Sequence, residues 1–189
     1  MRFGVVVEGA TDVAVFEELI PKIRPEVVKV VTRLARGKSR FMGLFPNLLS
    51  TLRDGSVWVD RAIAVRDADD QDPLLIEQAM QGAISGRKYP FWKGVGVHAT
   101  KRETETWMLA DVAAINRVAA RRQGAAVAAV AGPLEEIRDA KERFKKLLFK
   151  ASLPYEPEVA REIAQEIELA VLRQECPSFR LFEAKVLAP

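Results

Sequence analysis

Apolar residues occur along the chain in two patterns, short continuous runs and longer stretches with three- and four-residue spacing. Short runs rich in β-branched residues are typical of buried strands, whereas the spaced stretches are typical of amphipathic helices. The predicted strands are Arg2–Val7, Val27–Val31, Ala62–Val65 and Lys93–Ala99. Because helical stretches separate these runs, the pattern predicts an α/β fold with a parallel sheet, helices on both faces and right-handed crossovers.

Three helices are predicted between these strands. Thr11 is a good capping residue for the first, Pro25 ends it, and Pro73 is well placed to start the third. The predicted helices are Asp12–Ile23, Phe41–Leu52 and a segment from Pro73 towards Ile84.

The second half of the chain has a helical pattern from Thr106 onward, which we interpret as packing. It includes Ala125–Ala131, Leu134–Phe149 and Glu158–Arg173. We expect residues 1–120 to form the α/β core and residues 121–189 to form a helical extension packed on it, within a single structural domain.

Acidic residues follow three of the four apolar runs. Glu8 follows the first run, Asp67 and Asp69 follow the third, and Glu105 lies beyond the fourth. Neighbouring parallel strands end at one edge of a sheet, so these carboxylates can meet. Clustered carboxylates repel one another unless a cation neutralises them, and Mg²⁺ prefers oxygen ligands. The pattern therefore predicts a divalent metal site.

Each acidic position also has a structural interpretation. Glu8 could cap the helix that follows it, and the pair Asp67 and Asp69 could belong to a solvated turn. Near the start of the later helix, Glu103 and Glu105 would point in different directions, so we favour Glu105 as the site residue. Glu103 is a weaker candidate or a capping group.

Phosphate contacts are predicted at two further places. Gly9 would let a ligand approach the backbone at a helix N-terminus, while Asp12 is expected to serve the first turn of that helix. Gly37-Lys38-Ser39 resembles the end of a P-loop, but Thr32 stands where that motif needs glycine, so a P-loop is excluded. Lys38 could still contact phosphate or stabilise charge, or it could lie in a solvated loop.

Composition narrows the class of protein without identifying it. The chain has 189 residues, 49% of them hydrophobic, and a formal charge of +3, which is compatible with a polyanionic partner. Cys176 is the only cysteine and His98 the only histidine, so an internal disulfide and a Cys- or His-rich zinc site are excluded; we expect a structural role for His98. The strand-like start and the lack of a long apolar stretch lead us to expect a cytoplasmic protein without a membrane partner.

Four segments spread over nearly the whole chain resemble a Toprim-like bacterial family of unknown function, the domain family numbered 4276. They are Val7-Glu-Gly-Ala-Thr-Asp12, Val65-Arg-Asp-Ala-Asp-Asp70, Glu103-Thr-Glu-Thr-Trp-Met-Leu-Ala-Asp111 and Cys176-Pro-Ser-Phe179. Through the first two, the chain is similar to the Toprim domains of type IA topoisomerases, primases and overcoming-lysogenization-defect nucleases. The resemblance implies a Toprim-like Rossmannoid fold, with a central, mainly parallel four-stranded sheet and a helical C-terminal extension.

The resemblance also implies a reaction. Glu8, Asp67 and Asp69 would hold one or two Mg²⁺ or Mn²⁺ ions, with Glu105 joining them, and Lys38 would offset charge during phosphodiester cleavage. The implied partner is nucleic acid, with DNA favoured over RNA. A separate ATPase subunit, a homodimer and a role in defence against phage or plasmid DNA are further expectations.

One departure from the relatives and one feature of the tyrosines bear on what this resemblance implies. Arg66 stands where relatives often have an apolar residue, which would alter the electrostatics of the site. Neither Tyr89 nor Tyr155 lies at an obvious nucleophile position, so topoisomerase-like strand passage is not expected. The alternatives to a nuclease are a non-catalytic, Mg²⁺-dependent binding module for nucleic acid or nucleotides and a structural subunit of a larger complex.

Overall fold

The computed structural model describes residues 1–189 and contains a four-stranded parallel sheet with helices on both faces. The strands are β1 (Arg2–Val7), β2 (Lys29–Leu34), β3 (Arg53–Asp54), β4 (Val57–Trp58), β5 (Arg61–Asp67) and β6 (Val95–Thr100). The large sheet has the order β2-β1-β5-β6, and β3 pairs with β4 in a separate antiparallel hairpin. The predicted α/β class is confirmed.

Nine α-helices surround the sheet and form the C-terminal part of the chain. They are α1 (Ala10–Ile23), α2 (Lys38–Leu49), α3 (Pro73–Ile84), α4 (Thr104–Ala110), α5 (Val112–Arg121), α6 (Ala140–Lys150), α7 (Pro157–Glu166), α8 (Leu169–Glu175) and α9 (Pro177–Leu187). A 3₁₀ turn, Leu134–Glu136, precedes α6. None of these helices combines the length and the apolar composition needed to cross a bilayer.

The strand order reverses direction between β1 and β5. The chain leaves β1 through α1 to β2 on one side, then returns past β1 to β5 and continues outward to β6. In open parallel sheets, the crevice at the carboxyl ends of two such strands is the usual place for a ligand. Val6 is paired with Ala64 across this position, so both strands end beside the crevice.

Both faces of the sheet are buried, each in its own apolar cluster. Phe3, Val5 and Val7 of β1 belong to the larger cluster, with α1 and the C-terminal helices, whereas Val6 belongs to the smaller one, with α2 and α3. Successive side chains of a strand point to opposite faces, so a strand covered on both faces reads as a continuous apolar run. This is why the strands were predictable.

The larger cluster joins the two halves of the chain through Trp107 of α4. Its ring lies 5.3 Å from the ring of Phe179 and 5.3 Å from that of Phe182, both on α9. Its indole Nε1 donates a buried hydrogen bond of 2.9 Å to Ser178 Oγ. The late Cys176-Pro-Ser-Phe179 segment therefore packs directly on α4 and fixes the helix that carries Glu105.

Several predicted boundaries differ from the structure. Helix α1 begins at Ala10 with Gly9 as its N-cap, so Thr11 lies inside the helix. The predicted strand Val27–Val31 is displaced to β2 (Lys29–Leu34), and α2 begins earlier than predicted. The short β3–β4 hairpin was not predicted, because each of its strands has only two residues.

The prediction of a helix over Ala125–Ala131 is wrong. This segment has no regular structure, although alanine favours helices. The side chain of Asn116 accepts from Val127 N–H at 2.8 Å and donates to Val127 C=O at 2.9 Å, so it occupies backbone groups that a helix would need. Few large apolar side chains are present to bury a helical face, and tertiary contacts override propensity.

Gly124 occupies a close backbone contact between α5 and the end of α6. A Cβ atom at this position would lie 2.1 Å from the carbonyl oxygen of Ala151, which also accepts from Ala125 N–H. We expect Gly124→Ala to lower the free energy of unfolding by about 1–3 kcal/mol, because two backbone segments must separate. Urea unfolding would measure this change.

The matched control is Gly43→Ala in α2, where a Cβ atom has no neighbour within 4 Å. This variant should raise the free energy of unfolding by about 0.5–1 kcal/mol, because glycine is unfavourable inside a helix. Equal effects of the two substitutions would contradict the close contact at Gly124.

Candidate functional site

The crevice at the carboxyl ends of β1 and β5 contains acidic residues from both strands. Glu8 directly follows β1, and Asp67 is the last residue of β5. Arg66 precedes Asp67, and its Nε lies 3.5 Å from Glu8 Oε1. Both side chains of this ion pair are nearly buried, with 12% of Arg66 and 11% of Glu8 exposed. The unusual arginine therefore contacts a predicted site residue directly.

Four side chains form what we call the Glu8 group: Glu8, Arg66, Asp69 and Lys38. Asp69 makes an ion pair with Lys38, the first residue of α2. The loop before α2 is held in place because Gly37 N–H donates to the carbonyl of Glu8 at 3.0 Å. The group thus combines two carboxylates with two cations and lies beside the N-terminus of α2.

Asp69 has a backbone conformation that non-glycine residues seldom adopt, with φ of +51°. Its N–H donates to the carbonyl of Arg102 at 3.0 Å, and Arg102 donates back to the carbonyl of Asp69 at 3.1 Å. The loop after β6 therefore holds Asp69 in position. Asparagine and aspartate tolerate this left-handed region better than most residues.

Three more carboxylates form the Asp67 group: Asp12, Asp67 and Glu105. Asp67 Oδ1 accepts from Thr100 Oγ1 at 2.7 Å, from Thr104 N–H at 3.1 Å and from Thr104 Oγ1 at 3.3 Å. Thr104 is the first residue of α4, so this helix both stabilises Asp67 and presents Glu105.

Asp12 belongs to this group, although the sequence indicated only a first-turn role. Its carboxylate accepts from Gly9 N–H at 2.9 Å, so the first-turn role is also fulfilled. Burial, followed by the nearby charge of Glu105, raises the pKa of Asp12 to about 7. The signal available in the sequence was its position four residues after Glu8, on the helix that leaves the crevice.

Glu105 is contacted by two residues of the C-terminal half. The Tyr155 hydroxyl donates to Glu105 Oε1, and Lys141 Nζ lies 3.5 Å from the same oxygen. Burial and then the Glu105 carboxylate raise the pKa of Tyr155 to about 12. Burial lowers the pKa of Lys141, but the charges of Glu105 and Tyr155 more than offset this and raise it overall. The sequence pattern indicates packing for the C-terminal half, so neither Lys141 nor Tyr155 is a predicted site residue.

Glu103 has a structural role that differs from that of Glu105. Glu103 Oε2 accepts from the backbone N–H of Lys141 at 2.8 Å, in the first turn of α6. Glu105 instead points into the core and is only 2% exposed. Glu103 therefore has a structural contact, and Glu105 remains the predicted site residue.

Asp111, from the same segment, is structural as well. Its Oδ1 accepts from Ala114 N–H at 3.0 Å, and its Oδ2 accepts from Glu168 N–H at 2.9 Å. It therefore caps α5 and holds the start of α8.

His98 lies outside both groups. It is buried against Trp107 and Phe182, and its Nδ1 is 3.2 Å from Glu77 Oε1. Lys185 also contacts Glu77. These contacts agree with a structural role for the single histidine.

Burial and neighbouring charges disfavour the ionised forms of Asp67 and Glu8. Burial, followed by the charges of Asp12 and Glu105, raises the pKa of Asp67 well above its usual range. Burial also raises the pKa of Glu8, and Arg66 only partly opposes this effect. A bound cation would oppose these effects, because it favours the charged form of each carboxylate.

The donor set fits a hard divalent cation with few protein ligands. Glu8 Oε1 and Asp69 Oδ2 are buried and accept no hydrogen bond, and each instead makes an ion pair, with Arg66 and Lys38 respectively. No three His, Cys, Asp or Glu side chains form a preassembled metal-binding cluster. Mg²⁺ commonly uses one or two carboxylates and completes its shell with water and phosphate oxygens. An open site of this kind suits the crevice.

Comparison with known proteins gave one match. The family described as "Domain of unknown function (DUF4276)" matches residues 7–187. No curated protein and no solved structure matches the chain.

Asp12 should make the stability of the metal-free protein fall with rising pH. Between about pH 4 and pH 7 the unfolded chain releases the Asp12 proton, while the folded protein, with a pKa of about 7, retains it. In Asp12→Asn this loss is absent, so the free energy of unfolding should fall less between pH 4 and pH 8, by about 4 kcal/mol. Urea unfolding in the presence of a chelator measures both profiles.

Asp54→Asn, in the exposed β3–β4 hairpin, controls for the loss of one negative charge. A pH profile of Asp12→Asn that coincides with that of the wild type would show that Asp12 does not carry the shifted pKa.

Proposed function

The chain belongs to this domain-of-unknown-function family over residues 7–187, and we propose from its crevice that it is a metal-dependent phosphodiesterase of Toprim type that cleaves nucleic acid, with DNA as the favoured substrate. The observation that carries the proposal is the position of Glu8 and Asp67 at the strand-order reversal between β1 and β5. Carboxylates at such a position suit a metal ion and a phosphate.

Glu8, Asp67 and Asp69 would hold Mg²⁺ or Mn²⁺, and Glu105 would complete the acidic surroundings. When bound, the cation would polarise a phosphoryl oxygen and lower the pKa of a bound water. Glu8 Oε1 and Asp69 Oδ2 accept no hydrogen bond and make only ion pairs, so they retain lone pairs for a cation, which supports this assignment. The hydrogen bonds from Thr100 and Thr104 orient Asp67 in advance, which reduces the reorganisation needed on binding.

The two basic side chains of the Glu8 group, Lys38 and Arg66, would bind the phosphate. Lys38 contacts Asp69 and stands at the N-terminus of α2, where backbone N–H groups favour an anion. Arg36 and Arg40 are exposed beside it. Arg66, which contacts Glu8 from within the crevice, would hold the carboxylate in place and add positive charge. These residues would offset the negative charge of a phosphodiester during cleavage.

Tyr155 and Lys141 would act on Glu105. The Tyr155 hydroxyl orients one carboxylate oxygen, and Lys141 places a positive charge 3.5 Å from the same oxygen. Gly9 remains a candidate for ligand contact through its backbone, although its N–H already donates to Asp12.

A second candidate is a non-catalytic, metal-dependent module that binds nucleic acid. It is favoured by one observation: Lys38, Arg66 and Lys141 already form ion pairs with the carboxylates. If these ion pairs persist when nucleic acid binds, the carboxylates hold a metal and a phosphate only weakly, and the phosphodiester bond is not cleaved. We also propose that the protein works with a separate ATPase, forms a homodimer, is cytoplasmic and acts in bacterial defence. These parts of the proposal rest on the Toprim resemblance alone.

Cleavage of plasmid, linear single-stranded DNA and RNA should require Mn²⁺ or Mg²⁺ and should depend on the carboxylates. We expect Glu8→Gln, Asp67→Asn and Asp69→Asn each to lower the cleavage rate about 100-fold or more, because each removes a charged metal ligand. The increase in melting temperature on addition of Mn²⁺ should shrink in the same variants.

Asp54→Asn is the control and should retain the wild-type rate, because this carboxylate lies in the exposed hairpin and pairs with Arg2. Stabilisation by Mn²⁺ without any cleavage, lost in Asp67→Asn, would favour the binding module. Neither cleavage nor stabilisation by metal would reject both candidates.

A further inference from the structure

Helix α6 carries an unusual concentration of positive charge. Its eleven residues include five Lys or Arg side chains and one Glu, a net charge of +4, whereas the whole chain has a net charge of +3. Arg143 and Lys145 pair with neighbouring carboxylates, but Lys146 and Lys150 are exposed and form none of the ion pairs of the structure. The remainder of the chain therefore has a net charge of −1, and this helix is a local excess of positive charge.

An exposed aromatic side chain lies among these lysines. Phe149 is 83% exposed, the highest value among the large apolar residues. It lines a surface pocket of about 620 Å³ together with Lys145, Lys146, Lys150, Pro154 and Tyr155. An isolated apolar residue on a surface needs no explanation, but a phenyl ring surrounded by lysines beside a concave pocket suits a planar base attached to a phosphate chain.

Tyr155 connects this pocket to the candidate site. Lys145 Nζ lies 5.3 Å from the centre of the Tyr155 ring, and Lys141 Nζ lies 5.8 Å from it. The hydroxyl at the other end of the same ring donates to Glu105. Tyr155 therefore lies between this surface pocket and Glu105 of the Asp67 group.

We propose that the exposed face of α6, formed by Lys146, Phe149 and Lys150, binds single-stranded DNA and leads it towards the carboxylates. This inference rests on the proposed function, and it specifies single-stranded DNA as the substrate. The lysines pair with backbone phosphates, and a base stacks on Phe149 in the pocket. Duplex DNA keeps its bases stacked inside the helix, so it can use the lysines but not the phenyl ring.

The test measures the binding of fluorescently labelled oligonucleotides to the full chain. Fluorescence anisotropy reports the binding, and a chelator is present throughout. Without divalent metal, binding is measured separately from cleavage. Lys146→Ala/Lys150→Ala should weaken the binding of single-stranded DNA about tenfold and lower the slope of log Kd against log salt by about 0.7 per lysine. Phe149→Ala should weaken the binding of single-stranded DNA about tenfold and leave the binding of duplex DNA unchanged.

Matched controls lie at the opposite, amino-terminal edge of the sheet. Lys29→Ala/Lys88→Ala removes two exposed lysines, and Trp92→Ala removes an exposed aromatic ring that has Lys93 4.8 Å from its centre. Both should retain wild-type affinity. Equal weakening by these controls, or stronger binding of duplex DNA or RNA than of single-stranded DNA, would overturn the proposal.

The outcome is separable from that of the cleavage experiment. Binding that depends on α6 without cleavage would support this surface and reject the nuclease. Metal-dependent cleavage with binding unaffected by the α6 variants, or a wild type that binds no single-stranded DNA, would reject this surface.

Discussion

The repulsion among carboxylates buried at the carboxyl edge of the sheet is the constraint on which the site depends. Asp12, Asp67 and Glu105 come from α1, β5 and α4; Glu105 raises the cost of ionising Asp12, and both of these residues raise the cost of ionising Asp67. Such an arrangement destabilises a protein that needs only to fold, because apolar residues of similar size would remove the penalty. Clustered buried charges are typical of functional sites, and the proposed cation would offset this repulsion.

The helices of the C-terminal half hold this arrangement together. Trp107 packs between the sheet and α9, and its hydrogen bond to Ser178 fixes α4 with Thr104 and Glu105 in position. Tyr155 and Lys141 then supply a donor and a positive charge to Glu105. A parallel sheet alone would place Glu8 beside Asp67, but it would leave Glu105 unsupported. The larger apolar cluster is therefore as much a part of the site as the acidic residues are.

The sequence could predict those parts of the molecule that follow from local pattern. The four main strands appeared as continuous apolar runs, and Glu8 and Asp67 could be placed at strand ends from their position in the chain. Asp12 was missed as a site residue because its approach to Glu105 depends on the packing of α1 against α4, which spacing along the chain does not report. Tyr155 was missed for the same reason, since 50 residues separate it from its partner. The helix predicted over Ala125–Ala131 failed because Asn116, a distant side chain, replaced the helical hydrogen bonds.

The distribution of charge links the acidic crevice to the rest of the surface. A polyanion approaching the carboxylates alone would be repelled, so a nuclease site of this kind needs positive charge close to the metal and along the path of the substrate. Lys38 and Arg66 provide it inside the crevice, and α6 provides it outside. The ion pairs with the carboxylates partly neutralise Lys38 and Arg66, whereas Lys146 and Lys150 of α6 form no ion pair. Under the proposed function, these exposed lysines, together with Arg36 and Arg40, attract the substrate, and the crevice cations act on the phosphate.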